Sequence, residues 1–401
     1  MVCNIDQSNK QISQREDTKL DLPDGVPPLY SLYLYISESC NLACQHCWIS
    51  PSYNPGNNGG KQVELDWVRK AVREARPLGL QNVKLTGGEP LLHTEFRELV
   101  NFIDGEGLEI HMETNGTLID NDLAKFLKQK EHLSFISVSL DGSDDETHES
   151  LRRVPGSFKK AIQGIVNLVE QGFQPQLVCT LHKGNISQLN EVIQLAGDLG
   201  CGSVKFNHVQ EVGRGEQFAK QQGLKIYEII NIYRRLEKDY STRSGIPIHF
   251  DIPFAFYSIR RLLDEDLSSC TIKNILGLLA GGELSLCGIG ITVPEMIFGR
   301  IENDDLHAVW CHSPGLIQLR EKIPDALEGI CFRCLHRDLC QGTCVANNYH
   351  ATGRLNAGHR FCQIADEMGL FPDSRKKYYL NSYKPKAKDD VYERERQTTH
   401  L

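Results

Sequence analysis

The placement of cysteine constrains this chain more than any other feature. Fourteen cysteines stand in 401 residues, at positions 3, 40, 44, 47, 179, 201, 270, 287, 311, 331, 334, 340, 344 and 362. Three fall between Cys40 and Cys47, and eight lie between Cys270 and Cys362. The segment Met1–Thr18 is polar and mixed in charge, without the apolar core of a secretory signal. No apolar run approaches the ~18–20 residues that span a bilayer. The chain therefore reads as cytoplasmic, with no membrane partner. In that compartment clustered thiols serve metal binding or catalysis rather than structural disulfides.

Composition sets the remaining bounds. With 40% apolar and 24% charged residues, and with Gly (34) and Pro (16) near average, the chain is globular rather than disordered or collagen-like. Its length allows about two or three domains. The 44 basic residues are outnumbered by 52 acidic ones, giving a net charge of −8 and no basic stripe, which argues against a nucleic-acid partner held by counterion release.

After a turn-rich lead-in ending in Pro27-Pro28, apolar runs with strand character alternate with segments of helical period. Strands are predicted at Tyr30–Ile36, Asn82–Leu85, Leu108–Met112, Phe135–Leu140, Gln176–Leu181 and Ser203–Asn207. Helices are predicted at Leu65–Arg76, Thr94–Asp104, Asp120–Gln129, Ser157–Gln171, Ser187–Leu199 and Gln217–Tyr240. Six such units imply an α/β fold with a parallel sheet, whose chemistry gathers at the carboxyl ends of the strands. Cys40–Cys47, Gly87-Gly88-Glu89-Pro90, Glu113-Thr114-Asn115-Gly116, Asp141-Gly142 and Gly213-Arg214-Gly215 each follow a strand. Beyond residue 245 the elements shorten. A small hairpin is expected from Gly282–Ser285 with Ile289–Val293, a helix from Leu306 to Lys322, and another from Val345 to His350.

Cys40-x3-Cys44-x2-Cys47 offers three thiolates in one loop, the ligands that iron–sulfur clusters require. Three ligands leave one iron of a four-iron cube open to a small molecule. A zinc knuckle is the competing reading and needs a fourth local ligand, for which His46 stands very close to Cys47.

The segment SESCNLACQHCWISP resembles the cluster loop of radical S-adenosylmethionine (radical SAM) enzymes. That resemblance implies a partial (βα)6 TIM-like barrel. It also implies a 4Fe–4S cluster on Cys40, Cys44 and Cys47, with S-adenosylmethionine on the open iron. Reductive cleavage would then give a 5′-deoxyadenosyl radical that abstracts hydrogen from substrate. Gly87-Gly88-Glu89-Pro90 resembles the family's GGEP loop, with Glu89 meeting the methionine ammonium. Thr114 and Asn115 match the loop after the third strand and would reach ribose or carboxylate. Ser139 and Asp141 match an S-x-D-G motif, with Arg152 or Arg153 as the carboxylate partner. The family often places an aromatic residue before the third cysteine. Here it is His46, with Trp48 beyond, and either ring suits the adenine.

Cys331-x2-Cys334-x5-Cys340-x3-Cys344, with Cys270, Cys287 and Cys362, resembles the SPASM extension, which holds two auxiliary 4Fe–4S clusters. By that resemblance Cys331, Cys334, Cys340 and Cys362 hold one cluster and Cys270, Cys287 and Cys344 the other, its fourth ligand being Cys311 or left open. Two structural zinc sites are the alternative. The implied organisation is a lead-in (1–28), a radical SAM barrel (29–245), a bridging region with the SPASM domain (246–365) and a charged tail (366–401).

Enzymes with this extension mostly modify peptides or proteins. The look of the chain is closest to maturases of ribosomally made precursor peptides with nitrile-hydratase-like leaders. The expected activity is therefore hydrogen abstraction from a precursor peptide, ending in cross-linking, epimerisation or tyramine excision. Partners would be the peptide, a separate small leader-binding protein and an electron donor such as flavodoxin or ferredoxin. A separate partner is expected because the 39 residues before Cys40 are too few for the leader-recognition domain that such maturases often carry. Sulfatase maturases usually carry an aspartate after the second SPASM cysteine, where this chain has Gly288. That departure weakens the protein-oxidase alternative, and cofactor-precursor maturation remains a further one. The residue that quenches or deprotonates the substrate radical is not identified by any motif.

Overall fold

A computed structural model describes residues 20–54, 59–240, 245–264 and 270–377. Cys3, the start of the lead-in and the charged tail past residue 377 lie outside the described residues.

Short runs of aliphatic and aromatic residues form eight parallel strands. They are β1 Ser31–Tyr35, β2 Asn82–Thr86, β3 Glu109–Thr114, β4 Leu133–Ser139, β5 Gln176–Leu181, β6 Ser203–His208, β7 Ile248–Phe250 and β8 Ile275–Leu279. An antiparallel hairpin, β9 Glu283–Ser285 with β10 Ile297–Arg300, extends the β8 edge. The sheet therefore runs β10-β9-β8-β1-β2-β3-β4-β5-β6-β7.

Amphipathic helices cover one face of this sheet. They are α1 Leu65–Ala75, α2 Phe96–Gly105, α3 Asn121–Lys128, α4 Asp145–Arg152, α5 Ser157–Glu170, α6 Leu189–Asp198, α7 Arg214–Gln222 and α8 Ile226–Tyr240. In α2 the buried Phe96, Leu99, Val100 and Ile103 recur at the spacing of one helical face. Asp120 and Asp144 cap α3 and α4 by accepting from the backbone N–H of Leu123 (2.8 Å) and Thr147 (2.7 Å). On the other face, residues from β1 to β6 border one common cleft, so the sheet curves into a partial barrel.

The predicted strand–helix alternation is present from β1 to β6, and three expected elements take a different form. The helix expected over Gln217–Tyr240 is two, α7 and α8, with an intervening break at Gly223, which is extended. The helix expected over 306–322 is also two, α9 Leu306–His312 and α10 Pro314–Lys322. Pro314 lacks the N–H needed to continue a helix and instead begins the second one. Residues 288–291 form a 3₁₀ turn, and the hairpin partner is Ile297–Arg300 rather than Ile289–Val293. The helix α4 and strands β7 and β8 are additional, and β8 pairs with β1 from the far end of the chain.

The short cysteine-rich segments end in α11 Val345–Thr352 and α12 Arg360–Glu367, the latter packed on α8. Among the described residues no helix is long and apolar enough to cross a membrane.

Asn185 ties the end of β5 to the loop after β4. Its side chain donates to the carbonyls of Asp141 (3.0 Å) and Thr180 (2.9 Å) and accepts from the His182 N–H (2.8 Å), all in a buried setting. Asn185→Ala strands these groups, and each costs about 1–3 kcal/mol when left unpaired. Urea unfolding is expected to show a loss of at least ~2 kcal/mol.

Candidate active site

The cluster loop is held on three sides. Ser39–Cys40 pairs in parallel with Ser52–Tyr53 and closes the loop at its base. The end of α4 accepts two loop amides, Ala43 N–H to the Arg152 carbonyl (3.1 Å) and Gln45 N–H to the Leu151 carbonyl (3.0 Å). The turn after β6 donates the Arg214 N–H to the Cys47 carbonyl (3.0 Å). This framing brings Cys40, Cys44 and Cys47 to the wall of a cleft with a free volume of about 1420 Å³, its open mouth included.

Cys40 and Cys44 pack around buried Leu42. Burial raises both thiols, Cys40 well above its ordinary range with the neighbouring Glu89 adding to the shift, while Arg152 offsets part of the rise at Cys44. Buried in this way Cys40 and Cys44 stay protonated unless positive charge is supplied at the sulfurs, which is what iron provides. Three donors already face the sulfurs, Leu42 N–H to Cys40 Sγ (3.4 Å), Asn115 Nδ2 to Cys40 Sγ (3.8 Å) and Arg152 Nη1 to Cys44 Sγ (3.5 Å). Among the described residues no three His, Cys, Asp or Glu side chains converge as the ligands of a single metal ion do. An all-sulfur donor set around a cavity fits a multi-iron cluster.

Glu89 is buried beside the trio. It accepts from Thr114 Oγ1 (2.7 Å), Asn115 N–H (2.8 Å) and Leu91 N–H (3.2 Å), and burial raises its carboxyl to about 7 despite these donors. The adjacent glycines serve the protein's own packing. Gly88 N–H donates to Ser37 O (2.8 Å), and a Cβ at Gly88 would lie 2.0 Å from Ser39 O. Asn115 is bound back to the loop rather than free in the cleft, with Nδ2 donating to Asn41 Oδ1 at 2.8 Å. Gly87, Gly88, Glu89, Thr114, Asn115 and Ser139 all border the cleft.

Asp141 is fully buried and does not border the cleft directly. It accepts from Arg152 Nε (2.6 Å) and Thr180 N–H (2.7 Å). Burial pushes its carboxyl up, but the Arg152 guanidinium holds it down at about 2. Arg152 lines the cleft, whereas Arg153 is exposed in a left-handed helix cap. His46 and Trp48 both line the cleft, and burial lowers His46 to about 4.

Several cleft residues carry no motif. Lys84 forms an ion pair with Glu113, which also accepts from Thr86 Oγ1 (3.0 Å), and Lys205 lies nearby. Burial pushes the Glu113 carboxyl up, and the two lysines bring it below the usual carboxylate range. Strand alternation was the one sequence signal available. Lys84 alternates with Asn82 and Thr86, and Lys205 with Ser203 and Asn207, opposite the apolar Val83, Leu85, Val204 and Phe206.

The C-terminal thiols gather in two places. Cys331, Cys334, Cys340 and Cys362 border one small cavity, and burial pushes Cys331 up to about 12. Cys270, Cys287 and Cys344 border another, which meets the main cleft at Tyr33, Trp48 and Gln210. Cys311 is not among that cavity's bordering residues. Its Sγ lies 3.9 Å from His307 Nε2 on α9, in the apolar core. Cys179 and Cys201 are buried core thiols. At Gly288 a Cβ would lie 2.4 Å from the Tyr35 ring and 2.7 Å from Trp48, so the aspartate of the sulfatase-maturase pattern has no room there.

Residues 34–196 match the model of the Radical SAM superfamily. The chain is a radical SAM enzyme. S-Adenosylmethionine and a 4Fe–4S cluster are its cofactors. This radical SAM enzyme is similar to the AdoMet-dependent heme synthase of Methanosarcina barkeri (strain Fusaro / DSM 804), with 25% identity over 82% of this chain and 94% of the relative. It is also similar to the mycofactocin maturase MftC of Mycolicibacterium smegmatis, with 25% identity over 78% of this chain and 77% of the relative. Its fold matches that of Streptococcus suis SuiB bound to precursor peptide SuiA, with a TM-score of 0.67, 17% identity, and coverage of 84% of this chain and 76% of SuiB.

Two outcomes follow from these electrostatics. Asp141→Asn leaves Arg152 as a buried charge without its counter-ion and is expected to cost about 3–5 kcal/mol in urea unfolding. Asp141→Asn with Arg152→Met is expected to recover most of that loss, giving a coupled double-mutant cycle. Acidification is the second. Burial holds His111, His148 and His249 at about 4, below their unfolded value, so the unfolded chain takes up protons first as pH falls from 6.5 to 4. Glu89, raised to about 7, opposes this over part of the window, but the histidines outnumber it. The thermal midpoint is expected to fall between pH 6.5 and 4, with a further loss toward pH 2 as Asp141 protonates.

Proposed function

We propose that this radical SAM enzyme abstracts hydrogen from a ribosomally made precursor peptide and so carries out a post-translational modification. The observation that carries this reading is a second groove. It is lined by α7, α8, α11 and α12, with apolar and polar side chains in about equal share, and it opens onto the cluster cleft at His208 and Gln210. An extended chain laid in such a groove delivers one residue to the cleft and leaves its neighbours outside, as a peptide substrate requires. A relative named a mycofactocin maturase, and a fold neighbour solved with its precursor peptide, support the same reading.

In this proposal Cys40, Cys44 and Cys47 hold the cluster, and Glu89 receives the methionine ammonium. That cation would restore the ionised form of a carboxyl that burial has raised. Gly87, Gly88, Thr114, Asn115 and Ser139 shape the cofactor pocket. Asp141 holds Arg152 against Cys44, so Arg152 acts on the sulfur rather than on a ligand carboxylate. Bound there, cluster and S-adenosylmethionine supply reductive C–S cleavage and a hydrogen-abstracting radical. Cys331, Cys334, Cys340 and Cys362 would carry one auxiliary 4Fe–4S cluster, and Cys270, Cys287 and Cys344 the other, without Cys311. An electron donor of flavodoxin or ferredoxin type would complete the system.

A second reading is favoured by the relatives named heme synthases, which match over most of their length. In it the substrate is a tetrapyrrole. Anaerobically reconstituted protein is to be incubated with dithionite, S-adenosylmethionine and either the precursor encoded beside the gene or an iron porphyrin bearing propionates. The expected outcome is 5′-deoxyadenosine together with a mass change or deuterium exchange in the peptide alone. Conversion of the porphyrin with an untouched peptide would establish the second reading instead. The Cys40→Ala, Cys44→Ala, Cys47→Ala triple variant is expected to form no nucleoside. Cys311→Ser is expected to keep the full iron content, and loss of iron there would restore Cys311 as a ligand.

A further inference from the structure

Arg214, in the Gly213-Arg214-Gly215 turn that opens α7, plays no part in the roles above, yet its side chain lines the cleft. Its backbone N–H donates to the Cys47 carbonyl (3.0 Å) and to Ser50 Oγ (2.8 Å), and Nη1 donates to the Pro51 carbonyl (3.2 Å). These bonds fix the residue on the cluster loop. They leave Nε and Nη2 buried and without any hydrogen-bond partner. Among the described residues no carboxylate pairs with this guanidinium.

The two idle donors are not an arbitrary pair. Nε–H and Nη2–H lie on the same edge of a guanidinium, the edge that takes both oxygens of one carboxylate. Burying two cationic donors unpaired is costly, so their natural state is with acceptors supplied by a ligand. The other arginine in the cleft cannot offer the same edge. Arg152 spends its Nε on Asp141 at 2.6 Å and its Nη1 on Cys44 at 3.5 Å.

We infer that Arg214 is a receptor for a carboxylate of the substrate, so that the chain acts on a carboxylate-bearing molecule. For a peptide this means an acidic side chain or the C-terminal carboxyl near the residue attacked. The inference rests on the proposed reading that the cleft takes a substrate beside S-adenosylmethionine. The methionyl carboxylate is the other source of the same chemistry. Position favours the substrate. Gly87, Gly88, Glu89, Thr114 and Asn115 follow β2 and β3, whereas Arg214 follows β6, four residues after Gln210 at the opening to the second groove.

The test uses reconstituted holoenzyme saturated with S-adenosylmethionine and needs no turnover. Hippurate and its neutral amide, hippuramide, serve as probes in anaerobic calorimetry. Wild type is expected to prefer hippurate by about tenfold, and Arg214→Gln and Arg214→Lys to lose that preference, since neither side chain presents a two-donor edge. Iron content and affinity for S-adenosylmethionine are expected to stay within about twofold of wild type. The inference is overturned if wild type shows no preference for the carboxylate, or if both variants keep it. A fall of about tenfold or more in S-adenosylmethionine affinity assigns the carboxylate to the cofactor and overturns it as well. So does loss of iron in both variants, which would make Arg214 a brace for the loop alone. Because the readout is binding, a failed peptide assay and a failed receptor are separate results.

Discussion

The ion pair between Asp141 and Arg152 is the contact on which the rest of the site depends. Asp141 lies in the loop just after β4, Arg152 ends α4, and their 2.6 Å contact is buried. Through it the sheet sets the position of α4, and the carbonyls of Leu151 and Arg152 then anchor the cluster loop. The same guanidinium reaches Cys44, so one cation serves both the fold and a sulfur ligand. A lysine would not substitute, because the two contacts use different nitrogens of one planar group.

Desolvation governs the electrostatics around this pair. It lifts the cysteine thiols and Glu89 and depresses His46, His111 and His148. The interior thus holds neutral groups that become charged, or become ligands, when a cationic cofactor arrives. Where a charge persists it is paired, as in Asp141 with Arg152 and Glu113 with Lys84. The idle edge of Arg214 departs from that rule, which is why it points to a ligand.

Three cavities meet around Gln210, a residue with no motif of its own. It borders the main cleft, the groove beside α11 and α12, and the cavity of Cys270, Cys287 and Cys344. Its side chain accepts from Asn347, joining the loop after β6 to the C-terminal segment. A substrate entering by the groove therefore passes the junction between barrel and cysteine-rich region. Trp48, in edge contact with Tyr35 at 6.3 Å, borders both the main cleft and the cavity of Cys270, Cys287 and Cys344.

Local chemistry in the sequence determined the strand–helix alternation from Ser31 to Asp198, the three-thiol loop and the grouping of the later cysteines. Periodicity, helix caps and ligand spacing are short-range properties, readable from neighbouring residues. Tertiary structure decided what depends on distant partners. It joined β8 to β1, paired Arg152 rather than Arg153 with Asp141, set Cys311 apart from Cys270, Cys287 and Cys344, and closed position 288 to any side chain. None of these could be read locally, because burial, ion pairing and close approach exist between residues that the chain holds far apart and only folding brings together.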